Sequence, residues 1–265
     1  MLNIKNLRKT FNPGTVNEKH ALNGLNLHLE SGEFVTVIGS NGAGKSTLFN
    51  AICGSFYPDR GSITLNDRNI TFLPEHKRAK VIGRVFQDPM KGTAPNMTIE
   101  ENLALAYAKG TKGPLMFAQK KKELNVIRDR LAEFDLGLED RMKTKVGLLS
   151  GGQRQVVTLL MCTIVPPKLL LLDEHTAALD PLTAQKVMDI TNMLVKRNHL
   201  TTMMITHNMA AALSAGTRTI MLDSGSVLFD LSGEAREKMT IDDLLQQYAT
   251  KKQRDFDNDR MLMPD

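Results

Sequence analysis

The chain has 265 residues, 42% hydrophobic and 24% charged, with a formal net charge of +5. That composition excludes a disordered or fibrous chain and allows one large core without disulfide staples. Aromatic content of 5% without tryptophan gives a base-stacking nucleic-acid surface little to build on, and no run approaches the roughly 20 apolar residues a membrane-spanning helix needs.

In chain order, Leu2–Arg8 and Leu22–Leu29 alternate apolar and polar residues and predict strands, joined through a polar turn at Asn12–Lys19. The alternating N-terminus is not the continuous apolar run of a signal peptide. Phe34–Ile38 is an apolar run that predicts a buried strand. Glycines follow at 39, 42 and 44, and Lys45–Cys53 has helical spacing. Gly61–Leu65 and Val81–Phe86 predict further strands. From Asp88 to Asn96 the chain is irregular. Helices are predicted over Thr98–Ala108, over Gln119–Phe134 and through Val156–Ile164. Strands return at Leu169–Leu172 and Thr201–Ile205, separated by a helix over Thr183–Lys196. A helix at Met209–Ala215, two short strands around Gly225 and a closing helix at Ile241–Tyr248 complete the pattern. The expected organisation is one domain over 1–249, with a core of 1–87 and 166–249 and a helical insertion over 88–165. The charged tail, 250–265, is expected to fray. The basic clusters Lys120–Lys122 and Lys251–Arg254 read as solvated surface. Cys53 and Cys162 lack metal or redox spacing and read as small buried hydrophobes, which points to a reducing compartment.

Three segments carry chemistry. Gly39–Thr47 (GSNGAGKST) fits G-x-x-x-x-G-K-S/T between a strand and a helix. Gly39, Ser40, Asn41, Gly42, Ala43, Gly44 and Thr47 supply a backbone cradle for phosphate oxygens at a helix N-terminus. Lys45 reaches the terminal phosphates and Ser46 supplies a hydroxyl to Mg²⁺, so the expected ligands are ATP and Mg²⁺. Leu169–Glu174 (LLLLDE) ends an apolar strand in two carboxylates. Asp173 is expected to hold Mg²⁺ through its water shell, and Glu174 to orient or deprotonate the attacking water. Leu149–Gln155 (LSGGQRQ) offers the Ser150 hydroxyl, the unhindered N–H groups of Gly151 and Gly152, and Gln153 at another helix start, which makes a second anion site. Ser150 can equally be an ordinary N-cap, and both roles can hold together.

With these segments in one chain, residues 1 to about 230 resemble the nucleotide-binding subunit of ABC transporters, for which LSGGQ is the signature. The resemblance implies an α/β fold: a P-loop NTPase, RecA-like core with an antiparallel β subdomain and an inserted α-helical subdomain. It implies a head-to-tail dimer in which Ser150–Gln153 close over the ATP of a second ATPase subunit. It further implies that Gln87 senses Mg²⁺ and the attacking water, that His207 contacts the γ-phosphate, that Asp180 lies in a loop crossing between subunits, and that Phe11 stacks on adenine. Glu174, His207, Lys45 and Gln87 are then the catalytic set, with Ser46, Gln87 and Asp173 at the metal. The chain departs from the commoner pattern after Glu174, reading His-Thr-Ala-Ala where Pro-Thr-Ser-Ala is more usual; His175 reads as a packing residue. The resemblance implies a peripheral ATPase on the cytoplasmic face of the membrane, working with transmembrane permease subunits and an extracellular substrate-binding protein, with no nucleic-acid partner. The GTAPNMTIEENLALA and DEHTAALDP runs resemble uptake systems of amino-acid type, tryptophan or tyrosine among them. The alternative is a soluble ABC ATPase of the cluster-assembly type.

Overall fold

The computed structural model describes residues 1–110 and 121–250. The predicted basic run at 120–122 falls partly outside those residues, and the predicted tail almost wholly outside them. Two sheets form the frame. The first is antiparallel, in the order β2–β1–β4–β5, from β1 (Leu2–Phe11), β2 (Lys19–Leu29), β4 (Arg60–Leu65) and the two-residue β5 (Arg68–Asn69). The second runs β10–β9–β3–β8–β7–β6, from β3 (Phe34–Ile38), β6 (Ile82–Val85), β7 (Leu169–Asp173), β8 (Thr202–Ile205), β9 (Arg218–Asp223) and β10 (Ser226–Ser232). Within it every pairing is parallel except the edge pair of β9 and β10.

The central strands are buried on both faces, which is why they read as continuous apolar runs. The strand period of two divides their side chains between two cores. Leu169 and Leu171, Val35 and Val37, and Met203 and Ile205 pack with the antiparallel sheet and α1 (Lys45–Cys53). Leu170, Leu172, Phe34 and Met204 pack on the other side. There they meet α3 (Ile99–Gly110), α4 (Lys121–Ala132), α5 (Gly151–Thr163) and α6 (Pro181–Arg197). A third cluster joins Ile38, Met221 and Phe229 to α7 (Met209–Ser214) and to Leu244, in the helix over 241–250.

Pattern and structure differ in small elements. β5, α2 (Glu75–Arg78) and α8 (Gly233–Glu237) were not anticipated, because each is too short to show a period. The irregular stretch after Gln87 contains a 3₁₀ turn at Pro89–Gly92, started by the Asp88 side chain accepting from the Met90 N–H. α2 exists through a tertiary contact. Arg78, 1% exposed, donates to the carbonyls of Leu73 and Thr71 and to those of Ala51 and Ile52 near the end of α1. These bonds satisfy carbonyls in the last turn of α1 and fix the helix that begins at the glycine loop. Cys53 is buried and Cys162 is half-buried with its Sγ–H donating to the Arg84 carbonyl at 3.3 Å, and neither is in a disulfide.

Candidate functional site

The parallel strands bring the chemistry-bearing residues to one edge. β3, β8, β7 and β6 lie side by side in the same direction. Their carboxyl ends lead into the glycine loop, His207, Asp173–Glu174 and Gln87 respectively. In an open parallel sheet, the crevice beyond the carboxyl ends is where ligands sit.

The loop from Gly39 to Gly44 turns β3 into α1 through backbone that only glycine adopts cheaply. Gly44 has φ +103°, and a Cβ there would stand 2.7 Å from the carbonyl oxygen of Ala21 in β2. No side chain caps α1, and its first turn holds no acidic residue, so its positive end is uncompensated. Lys45 is 6% exposed; its Nζ donates to the carbonyls of Gly39 (2.7 Å) and Ser40 (3.0 Å). Burial pushes the ammonium pKa down, while Glu174 and Asp173 push it back up. A phosphate oxygen can take over the carbonyls' role toward this ammonium.

Glu174 carries φ +49°, a left-handed conformation for a non-glycine residue. Its N–H donates to the carbonyl of Ile205 at 3.1 Å. That bond ties the turn to β8 and aims the carboxylate at His207, whose Nε2 lies 2.6 Å from Oε1. Backbone strain held by surrounding structure is a mark of functional sites. Ser46, Gln87, Asp173 and Glu174 line one cleft of about 670 Å³, together with Asn50, Arg84 and Phe86. The donors there are a hydroxyl, an amide and carboxylates, all hard oxygens. Among the described residues no group of three or more His, Cys, Asp or Glu could form a cage. This set suits Mg²⁺, a cation that retains waters and takes its remaining ligands from phosphates.

Ser150–Gln153 stand elsewhere. Ser150, Gly152 and Gln153 line a separate cleft with Leu182, Thr183 and Lys186 at the start of α6. Ser150 N-caps α5: its Oγ accepts from the Gln153 N–H, and Gln153 Oε1 accepts from the Ser150 N–H. Asp180 N-caps α6, and hydrogen bonds from Thr183 hold its carboxyl below the usual range. Gly152 packs so closely on the Thr183 methyl that a Cβ there would collide. The signature helix and the loop of Asp180 are therefore one packed unit.

Phe11 ends β1 opposite Lys19 of β2, and its ring meets Phe56 edge-on at 5.3 Å. Lys19 Nζ lies 3.5 Å from the position a Cβ on Gly42 would take. The β1–β2 hairpin thus borders the glycine loop, with Phe11 near its tip.

His175 is buried beside Thr191, with Nε2 3.1 Å from Oγ1. Thr191 already donates its one hydroxyl hydrogen to the Val187 carbonyl, so the ring's Nε2–H must be the donor to Oγ1. Burial lowers the ring's pKa from 6.5 to about 4. The unfolded chain therefore binds this proton first: the ring's contribution to stability is complete above pH 6.5 and is lost as pH falls toward 4. Unfolding free energy is expected to drop by about 3 kcal/mol over that window on account of His175 alone. Urea titrations at several pH values check this: His175→Gln should flatten the slope, and an unchanged slope would place the proton uptake elsewhere.

Reasoning from sequence missed Arg84 and Asn50. Arg84 Nη1 donates to Asn50 Oδ1 and Nη2 to Asp173 Oδ2, each at 2.7 Å. The one available signal was a charged residue inside a strand, Ile82–Val85, that is otherwise apolar or glycine.

Known proteins share this chain's fold and part of its sequence. The profile described as "ABC transporter" matches residues 22–177. The chain is 44% identical over 251 residues to a tyrosine transport ATP-binding protein of Clostridioides difficile, covering 94% of this chain and 98% of that one. It is 32% identical to a xylose/arabinose import ATP-binding protein of Sulfolobus acidocaldarius, covering 95% and 96%. Among solved structures, the dimeric post-hydrolysis state of an ATP-binding cassette bound to ADP and phosphate superposes with a TM-score of 0.74 at 29% identity, covering 88% of this chain and 98% of that one.

Proposed function

This chain belongs to the ABC transporter family of ATP-binding proteins, and on that premise we propose that it powers the uptake of an amino acid of aromatic type. It is an ATPase of the importer kind. The observation that carries the finer reading is the likeness to a tyrosine transport ATP-binding protein across nearly the whole of both chains. In this reading the chain sits on the cytoplasmic face of the membrane as one of two ATPase subunits, docked on separate permease subunits. An extracellular binding protein delivers the substrate.

The residues divide the work as follows. The N–H groups of Gly39–Gly44 and the start of α1 hold the phosphates, and Phe11 stacks on the adenine. Lys45 meets the γ-phosphate oxygens where negative charge develops. Ser46, Asp173 and Gln87 would hold Mg²⁺, which when bound neutralises charge on the β- and γ-phosphates. Glu174 aims a water in line with the γ-phosphorus and accepts its proton, and His207 fixes the carboxylate and contacts the γ-phosphate. Ser150, Gly151, Gly152 and Gln153 of the second subunit complete the site, with Asp180 at the crossing loop.

The test is transport itself. The chain is reconstituted in proteoliposomes with the permease that co-purifies with it from membranes, and labelled tyrosine uptake is followed. ATP-dependent uptake lost in Lys45→Ala supports the reading. Recovery of only soluble partners, or uptake indifferent to that substitution, defeats it.

A further inference from the structure

The metal-site aspartate already has a cationic partner within the chain. Arg84 Nη2 stands 2.7 Å from Asp173 Oδ2, and the two side chains are only 14% and 13% exposed. The guanidinium is held on two further sides: Asn50 Oδ1 accepts from Nη1, and the Phe86 ring lies 4.7 Å below it. Among the described residues, no side chain or backbone N–H bonds the second carboxylate oxygen, and Asp173 lines the cleft with Ser46 and Gln87. An arginine fixed by helix, strand and ring cannot swing away as an exposed lysine would.

We propose that Arg84 is the resident counter-charge of Asp173, a positioning residue that makes capture of a divalent cation conditional on a bound triphosphate. The proposal rests on the reading of Asp173 as a metal-holding residue. With the guanidinium in place, the carboxylate is oriented but electrically balanced. A divalent cation arriving alone then meets a fixed positive charge within a few ångströms, which opposes its binding. The negative charges of a triphosphate overcome that opposition, so metal and nucleotide enter together. A purely structural brace between α1 and β7 would predict no gain in cation affinity on removing the charge.

The test uses Mn²⁺ and the full chain without nucleotide, with free Mn²⁺ read by electron paramagnetic resonance. Arg84→Met and Arg84→Gln are expected to bind Mn²⁺ about tenfold more tightly than wild type, the order for removing one nearby unit charge. Arg84→Lys, which keeps the charge, should stay within about twofold of wild type on the same electrostatic ground. Adding Asp173→Asn to Arg84→Met should abolish the gain. Neutral variants no tighter than wild type overturn the proposal, as does a gain that survives Asp173→Asn. Loss of fold cannot imitate a gain, and the glutamine variant retains polar contacts should methionine disturb packing. Wild type offers an independent check: a nucleotide-free site as tight as the one formed with a non-hydrolysable ATP analogue also overturns it. In the presence of that analogue, Asp173→Asn alone must loosen Mn²⁺; failure of that arm alone removes the metal role of Asp173 and leaves the arginine–aspartate pair a structural one.

Discussion

Glu174→Gln is expected to lower ATP turnover by about 10²–10³-fold while leaving ATP affinity within about twofold. The substitution keeps shape and loses charge. The amide fills the space of the carboxylate, retains the backbone bond to Ile205 and still reaches His207, so the turn with its positive φ has no reason to relax. What disappears is the acceptor for the water's proton and the negative end of the Glu174–His207 contact. The phosphate cradle is built from the loop, Lys45 and α1, and Glu174 takes no part in it beyond helping to keep Lys45 charged. Steady-state hydrolysis together with equilibrium binding of a fluorescent ATP analogue separates the two effects. A parallel fall in affinity and turnover would make Glu174 a structural residue.

The second large effect concerns the signature. Ser150→Asp is expected to reduce turnover by about 10²-fold, although the residue lies outside the cleft that holds Lys45 and Glu174. Aspartate is as good an N-cap as serine, so α5 should remain capped and the fold intact. The change sets a carboxylate where the proposed dimer presents a hydroxyl to the partner's γ-phosphate. Ser150→Thr keeps both cap and hydroxyl and should retain most activity. Turnover of Ser150→Asp equal to wild type would confine the signature to capping.

Much of the site was legible because its chemistry lies in contiguous segments. The glycine spacing of 39, 42 and 44 is readable since their φ values of +147°, +85° and +103° lie beyond the left-handed range that other residues adopt. The carboxylate pair is readable because a strand buried on both faces spells an apolar run that ends abruptly in acids. Arg84 was illegible for the opposite reason. Its partners lie 34 and 89 residues away, and only the pairing of β6 with β7 and the packing of α1 behind them bring the three together. The left-handed turn at Glu174 left no trace either, because a non-glycine residue there is held by β8 rather than by its own preference. The short α2 depends on Arg78 reaching carbonyls of α1, a contact with no local pattern.

On the proposed reading, each ATP site is shared between two copies of the chain. A mixing experiment tests it most directly. Lys45→Ala has a disabled phosphate loop and an intact signature; Ser150→Asp has the reverse. Each alone should be nearly inactive. In a mixed dimer, the loop of the Ser150→Asp subunit faces the signature of the Lys45→Ala subunit, so one of its two sites is whole. Random pairing of equal amounts should therefore restore about a quarter of wild-type ATP turnover for independent sites in a symmetric dimer. A mixture no more active than its separate components would contradict the claim.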